Sequence, residues 1–393
     1  MMKPASQYFC ELIALLLCVC ALSVSGIAQS LGSAGTISGT VNDPAGAVIA
    51  GATVVIQNSG TGYKRTATTD ETGMFRFANV PPNNYQLSVS ANGFNPVSQS
   101  LAVRTTVPIS VDIALALGEV SNTVNVESST ASVENIPTTH VDIDQSLIAR
   151  LPVRSAGSGL SDVVTFAAPG VVADSNGFFH ALGDHAQSTI SLDNQPISDQ
   201  SSKAFSTQPP VNAIQSLEVI TGATPAEFGD KTSLVITAIT HSGLGQKKPA
   251  GNFSTQYGTF GTSTTDATLG YGAEKVGNFI ALNFERSGRF LDGPEFAVLH
   301  DAGKAASIFD RFDYSPATKD AFHLNLLVAR NRFQIPNTYE QQALGQDQQQ
   351  LVRSMNIAPG YVHIFNPSTV LTVNPYYRMD QIWFYPSANP FSD

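Results

Sequence analysis

Few residues of this chain stand where their types could do chemistry. The run Phe179-His180-Ala181-Leu182-Gly183-Asp184-His185 gathers two imidazoles and a carboxylate, the groups that bind transition metals. Its Gly-containing setting reads as a polar loop instead. No HExxH or HxxE spacing occurs, so a zinc-peptidase pattern is lacking. Asp142 and Asp144 alternate along an extended segment and offer too few oxygens for calcium. Glu227 and Asp230 pair an acid with a base by type only, and they read as a solvated loop. There is no P-loop, no GxSxG elbow and no Cys nucleophile. The expectation is a protein that is not an enzyme, with no catalytic residues, no metal ligands and no cofactor.

The elements around these residues say more. The chain has 393 residues, a length that suggests more than one domain. Charged residues make up 13% and the net charge is −10, without any Lys/Arg cluster beyond Lys247-Lys248, which excludes nucleic-acid binding. Lys3 precedes an apolar run from Leu12 to Leu22, too short to span a bilayer comfortably. Gly26-Ile27-Ala28 supplies small residues for cleavage, so residues 1–28 read as a signal peptide, with an uncleaved anchor as the alternative. All three cysteines (Cys10, Cys18, Cys20) lie in that segment. The exported chain would then fold without disulfides, on burial and sheet pairing alone.

Residues 29–117 hold short alternating runs such as TISGTVND, ATVVIQN, MFRFANV and YQLSVSA, separated by turn signals including Asp43-Pro44, Thr72-Gly73 and Asn92-Gly93. They predict a small antiparallel β-sandwich. Gly39, Gly51-Ala52-Thr53-Val54, Asp70-Glu71-Thr72-Gly73-Met74-Phe75-Arg76-Phe77, Pro81-Pro82, Tyr85 and Gly93-Phe94 carry a resemblance to the carboxypeptidase-regulatory-like domain. That resemblance implies a prealbumin-like or starch-binding-like sandwich without a peptidase site. Asn83 stands where the family usually has Gly.

Residues 118–150 read as a polar linker. Within it, Glu119-Val120-Ser121-Asn122-Thr123-Val124-Asn125-Val126 resembles the coupling box of TonB-dependent receptors. The resemblance implies contact by strand addition between Glu119, Val120, Thr123, Val124, Val126 and a TonB-type periplasmic energy-coupling protein. The other reading of this stretch is the first strand of the next domain. Residues 151–245 carry Leu151-Pro152-Val153, Pro169-Gly170-Val171, Ile190-Ser191-Leu192-Asp193-Asn194, Ile214 to Ile220, Ala226-Glu227-Phe228-Gly229 and Leu234 to Gly243. Their order resembles the plug domain of TonB-dependent outer-membrane receptors and implies an α+β plug. Asn194, Thr237 and His241 stand where the family tends to have Gly, Asn and Lys.

Residues 246–393 alternate apolar and polar positions in runs at 251–258, 263–272, 276–286, 305–314, 321–332, 352–364 and 369–384. Aromatic residues gather near the run ends, among them Tyr257, Tyr271, Tyr314, Tyr361, Trp383 and Tyr385. This is the pattern of an outer-membrane β-barrel. Phe322, Leu324, Leu326 and Val328 are expected to face lipid, and His323 and Asn325 a wet lumen. The runs are far fewer than the roughly 22 strands that enclose a plug. Unpaired strand edges in lipid cost several kcal/mol per group, so the chain reads as the front of a longer receptor.

The resemblance thus implies a mainly β protein: sandwich, plug and the first barrel strands. It implies a place in the cell outer membrane, with the sandwich in the periplasm, and uptake of a siderophore, glycan or similar large solute. The alternative is a secreted or surface carbohydrate-binding protein in which Tyr63, Tyr85 and Phe94 stack on sugars.

Overall fold

The computed structural model describes residues 35–58, 64–80, 83–103, 109–118, 139–151, 159–173, 179–181, 188–193, 195–198, 208–221, 234–317, 319–366, 369–389 and 391. The expected signal peptide, the segment bearing Glu119, Val120, Thr123, Val124 and Val126, and Tyr63, Asp184, His185, Glu227 and Asp230 lie outside them.

The first unit is a sandwich of two sheets. One contains β1 (Gly35–Asn42), β4 (Met74–Val80), β7 (Ile109–Ser110) and β8 (Ile113–Ala114). The other contains β2 (Thr53–Gln57), β3 (Lys64–Thr68), β5 (Asn83–Ser90) and β6 (Val97–Val103), in the order β3-β2-β5-β6. Period-2 alternation turns Val54 and Ile56 inward, opposite Val89 and Leu87, onto Phe75, Phe77, Ile37 and Leu115. Two motifs have local causes. Asp70 accepts from Thr72 N (2.9 Å), Thr72 Oγ1 (2.6 Å) and Met74 N (3.0 Å), and Gly73 completes the turn at φ +71°. A Cβ on Gly39 would lie 1.9 Å from the Val111 carbonyl oxygen, so only glycine lets the chain pass there. Tyr85 is 3% exposed and belongs to this core, so its ring is not offered to a sugar.

The second unit is a mixed sheet ordered β13-β12-β15-β14-β9. Its strands are β9 (Thr139–Asp144), β12 (Ser188–Leu192), β13 (Gln195–Ser198), β14 (Ile214–Thr221) and β15 (Leu234–Thr240). A two-stranded ribbon of β10 (Val171–Ala173) and β11 (Phe179–Ala181) and two short helices, α1 (Gln145–Ile148) and α2 (Gly159–Ala167), accompany it. Asp144 caps α1 by accepting from Leu147 N at 2.9 Å. Every residue of β15 is buried, as its β-branched run requires of a central strand. Residues 139–144, read from sequence as part of the linker, pair with β14 as the edge strand of this sheet. The His140, Val141 and Asp142 alternation alone could not reveal a partner so far along the chain.

The third unit is an antiparallel wall of eight strands. It is built from β16 (Ala250–Tyr257), β17 (Ser263–Gly272), β18 (Val276–Ser287), β19 (Gly303–Ala317), β20 (Asp320–Gln334), β21 (Gln349–Asn366), β22 (Thr369–Val373) and β23 (Tyr377–Tyr385). β22 and β23 pair with successive halves of β21 and are separated by Asn374-Pro375-Tyr376, where Pro375 lacks a donor for the ladder. The β17–β18 and β19–β20 connections are short. The β18–β19 and β20–β21 connections (288–302 and 335–348) are longer and lie at the opposite end, and the latter holds helix α3 (Tyr339–Ala343).

The two faces of the wall differ as the alternation demands. On β20, Asn325, Leu327, Ala329, Asn331 and Phe333 are buried. Phe322 and Val328, on the other face, are 41% and 51% exposed. Phe253, Phe284, Ile308, Phe312 and Ile357 continue the exposed apolar surface on neighbouring strands. Tyr314, Phe322 and Tyr361 stack across β19, β20 and β21, at ring separations of 6.1 and 4.4 Å, near the short-connection end.

Candidate functional site

The face expected to border a wet lumen is instead packed. Phe279, Ala281, Phe309 and Leu327 of the wall share one apolar core with Ile143, Leu160, Leu192, Ile214, Leu217 and Ile236 of the inner sheet. Bringing aliphatic surface from both sides together excludes water, at about 25 cal/mol per Å² of apolar area covered. The His323 ring fits over Gly360, where a Cβ would fall 2.1 Å from its Cε1 atom.

One polar cluster crosses this interface. Arg311 projects inward from β19 and is 3% exposed. Its Nη1 lies 3.0 Å from Asp193 Oδ1 and donates to Thr240 Oγ1 at 2.9 Å. Its Nε donates to both oxygens of Asp313, at 3.1 and 3.0 Å, and its Nη2 to Asp313 Oδ1 at 2.8 Å. Asp193, 3% exposed, sits in the turn between β12 and β13 with φ +47°, a region that Asp tolerates better than most residues. It accepts from Thr240 N (3.0 Å), Thr240 Oγ1 (2.6 Å) and Asn325 Nδ2 (2.8 Å). Ser242 Oγ donates to Asp313 at 2.6 Å. Gln195 Nε2 donates to the Pro359 carbonyl of the wall at 2.8 Å.

One guanidinium therefore faces two carboxylates in a dry setting. Hydroxyl and amide donors from Thr240, Ser242 and Asn325 spread the remaining negative charge. A buried cluster of this kind adds little net stability over apolar packing, but removing one partner is costly. Its use is positional. It fixes the inner sheet against the wall in one arrangement. His241 lies beside it, with its ring 5.1 Å from that of Phe279. Burial, and then the Arg311 charge, lower its pKa to about 4 and keep it neutral.

Of the residues singled out from sequence, Asp193 and Asn325 fall at this interface and His241 beside it. Thr237 Oγ1 lies 3.2 Å from Glu218 Oε2. The segment with Glu119, Val120, Thr123, Val124 and Val126 is outside the described residues. Arg311 and Asp313 escaped the sequence reading. The visible signal was Arg311 and Asp313 at alternate positions of the run Phe309 to Tyr314, which also carries Asp310.

The chain resembles known proteins at three levels. Residues 36–116 match the carboxypeptidase regulatory-like domain. The TonB-dependent transporter Oar of Myxococcus xanthus is 29% identical over 224 residues, covering 53% of this chain and 20% of that transporter. The alcaligin outer-membrane receptor of Bordetella pertussis superposes with a TM-score of 0.50 at 13% identity, over 64% of this chain and 40% of the receptor. The ferric-catecholate import receptor of E. coli gives 0.48 at 13% identity, over 65% and 42%. The chain thus spans about a fifth of the length of its curated relative. The inner sheet and the wall fall in the regions whose sequences resemble the plug and the first barrel strands of such receptors. The chain is accordingly similar to a TonB-dependent transporter over about half of its length, and it carries a match to the carboxypeptidase regulatory-like domain at residues 36–116.

Proposed function

We propose that the protein serves energy-coupled uptake of a large solute across the outer membrane, and that it is not an enzyme. The observation that carries this reading is the Arg311–Asp193–Asp313 cluster, which holds the plug to the inward face of a wall whose outward face is apolar. A TonB-type protein would add a strand to residues 119–126 and pull. The pull would reach β9 first, then β14, and would be resisted by the cluster. Opening admits water to three charges that are then solvated separately, so the closed and open positions form two discrete states. The sandwich would stand in the periplasm ahead of the pulled segment. The solute is a siderophore, a glycan or a molecule of similar size; a siderophore is favoured by the likeness to the alcaligin receptor.

Uptake by cells carrying the protein tests this. Radiolabelled ferric siderophores and labelled oligosaccharides are offered in turn. At least one should accumulate, only while the TonB-type protein is present, and accumulation should stop when Val120, Val124 and Val126 are replaced by proline. Accumulation without the energy-coupling protein, or a protein recovered wholly in the soluble fraction, would refute the proposal.

A further inference from the structure

We infer that the plug carries a divalent transition-metal site built by His140, Asp142 and Glu218. β9 and β14 pair antiparallel, with Asp142 directly opposite Glu218 and His140 opposite Ile220. His140 and Asp142 are two apart on β9 and so point to one face of the sheet. One ligand atom from each of the three residues lies within 4.8 Å of the other two, and all three side chains are half-buried.

The donor set suits a cation, which would lie between the Asp142 and Glu218 carboxylates that meet across one rung and the His140 imidazole beside them. One imidazole nitrogen and two carboxylate oxygens match a zinc-type donor set with a coordination position left for water. The imidazole argues against magnesium and calcium, which prefer oxygen ligands alone. Thr237 Oγ1, 3.2 Å from Glu218 Oε2, steadies the carboxylate from the next strand. Such outer contacts set ligand orientation.

The position gives the ion a mechanical role. β9 is the edge strand of the plug sheet and follows directly on the linker. A metal bridging β9 to β14 would clip the edge strand to its neighbour. The site itself does not depend on the proposed uptake role.

The test is a Zn²⁺ titration of the whole chain in detergent by isothermal calorimetry, with Co²⁺ as a spectroscopic substitute. One Zn²⁺ should bind per chain, and Co²⁺ should give the intense visible bands of a four- or five-coordinate site. His140→Ala and Glu218→Gln should each weaken binding at least tenfold, while His300→Ala should leave it unchanged. Glu218→Gln keeps the shape of the side chain, so it separates ligand loss from misfolding. Zn²⁺ should raise the melting temperature of the wild type and not of Glu218→Gln, and EDTA should reverse the rise. No Zn²⁺ binding by the wild type, or binding by His140→Ala or Glu218→Gln as tight as that of the wild type, overturns the proposal.

Discussion

Arg311 holds its charge against Asp193 and Asp313 with almost no water to share it. Arg311→Met would leave two buried carboxylates facing each other and should cost about 3–5 kcal/mol, read from guanidinium unfolding in micelles. Adding Asp193→Asn and Asp313→Asn to that variant should recover most of the loss, because neutral amides need no counter-charge. His241 makes a pH prediction. Its folded pKa, about 4, lies below the ordinary value of 6.5. Above pH 6.5 neither state carries the proton, and its contribution to stability is fully present. As pH falls from 6.5 towards 4, the unfolded chain binds the proton first, and stability drops by up to about 1.4 kcal/mol per pH unit. His241→Phe should flatten that part of the profile relative to the wild type. An unchanged slope would mean that the imidazole is not buried neutral.

At the scale of the element, β20 joins two environments. Its odd-numbered positions from Asn325 to Phe333 are buried, while Val328 is 51% exposed on the outer face. Val328→Arg should reduce folding into lipid vesicles by about 2–4 kcal/mol if it sits near the bilayer midplane. The single tryptophan, Trp383, is 36% exposed on β23, with Arg353 5.1 Å above its ring. Its fluorescence should be quenched by brominated lipid. An unquenched Trp383 would place this face away from acyl chains. The alternation that defines these faces was legible in the sequence, because period 2 is a property of the strand itself. What the strand could not reveal was its neighbour. The lumen face reads as polar from His323 and Asn325, yet Leu327 follows on the same face and meets the core of the inner sheet.

At the scale of the whole molecule, among the described residues, the apolar core of the sandwich shares no residue with that of the inner sheet and wall. Residues 35–118 alone should therefore show a cooperative thermal transition of their own. Gly39→Ala should abolish that transition, because the new Cβ meets the Val111 carbonyl oxygen at 1.9 Å. The same substitution should leave the Trp383 signal of the full chain unchanged. Loss of both together would mean that the two cores fold as one.

Local physics was enough to settle a good deal from sequence. Turn chemistry at Asp70 and Gly73, strand alternation and aromatic strand ends each depend on residues only a few positions apart, and these placed the sandwich strands and the two faces of the wall. Only the tertiary structure decided what meets across long separations. It brought Arg311 to Asp193, and it set Glu218 opposite Asp142 beside His140. A lone charge on a strand looks the same whether it faces water, lipid or a buried counter-charge. The identity of its partner is fixed by sheet order and register, which are set by the packing of the whole core.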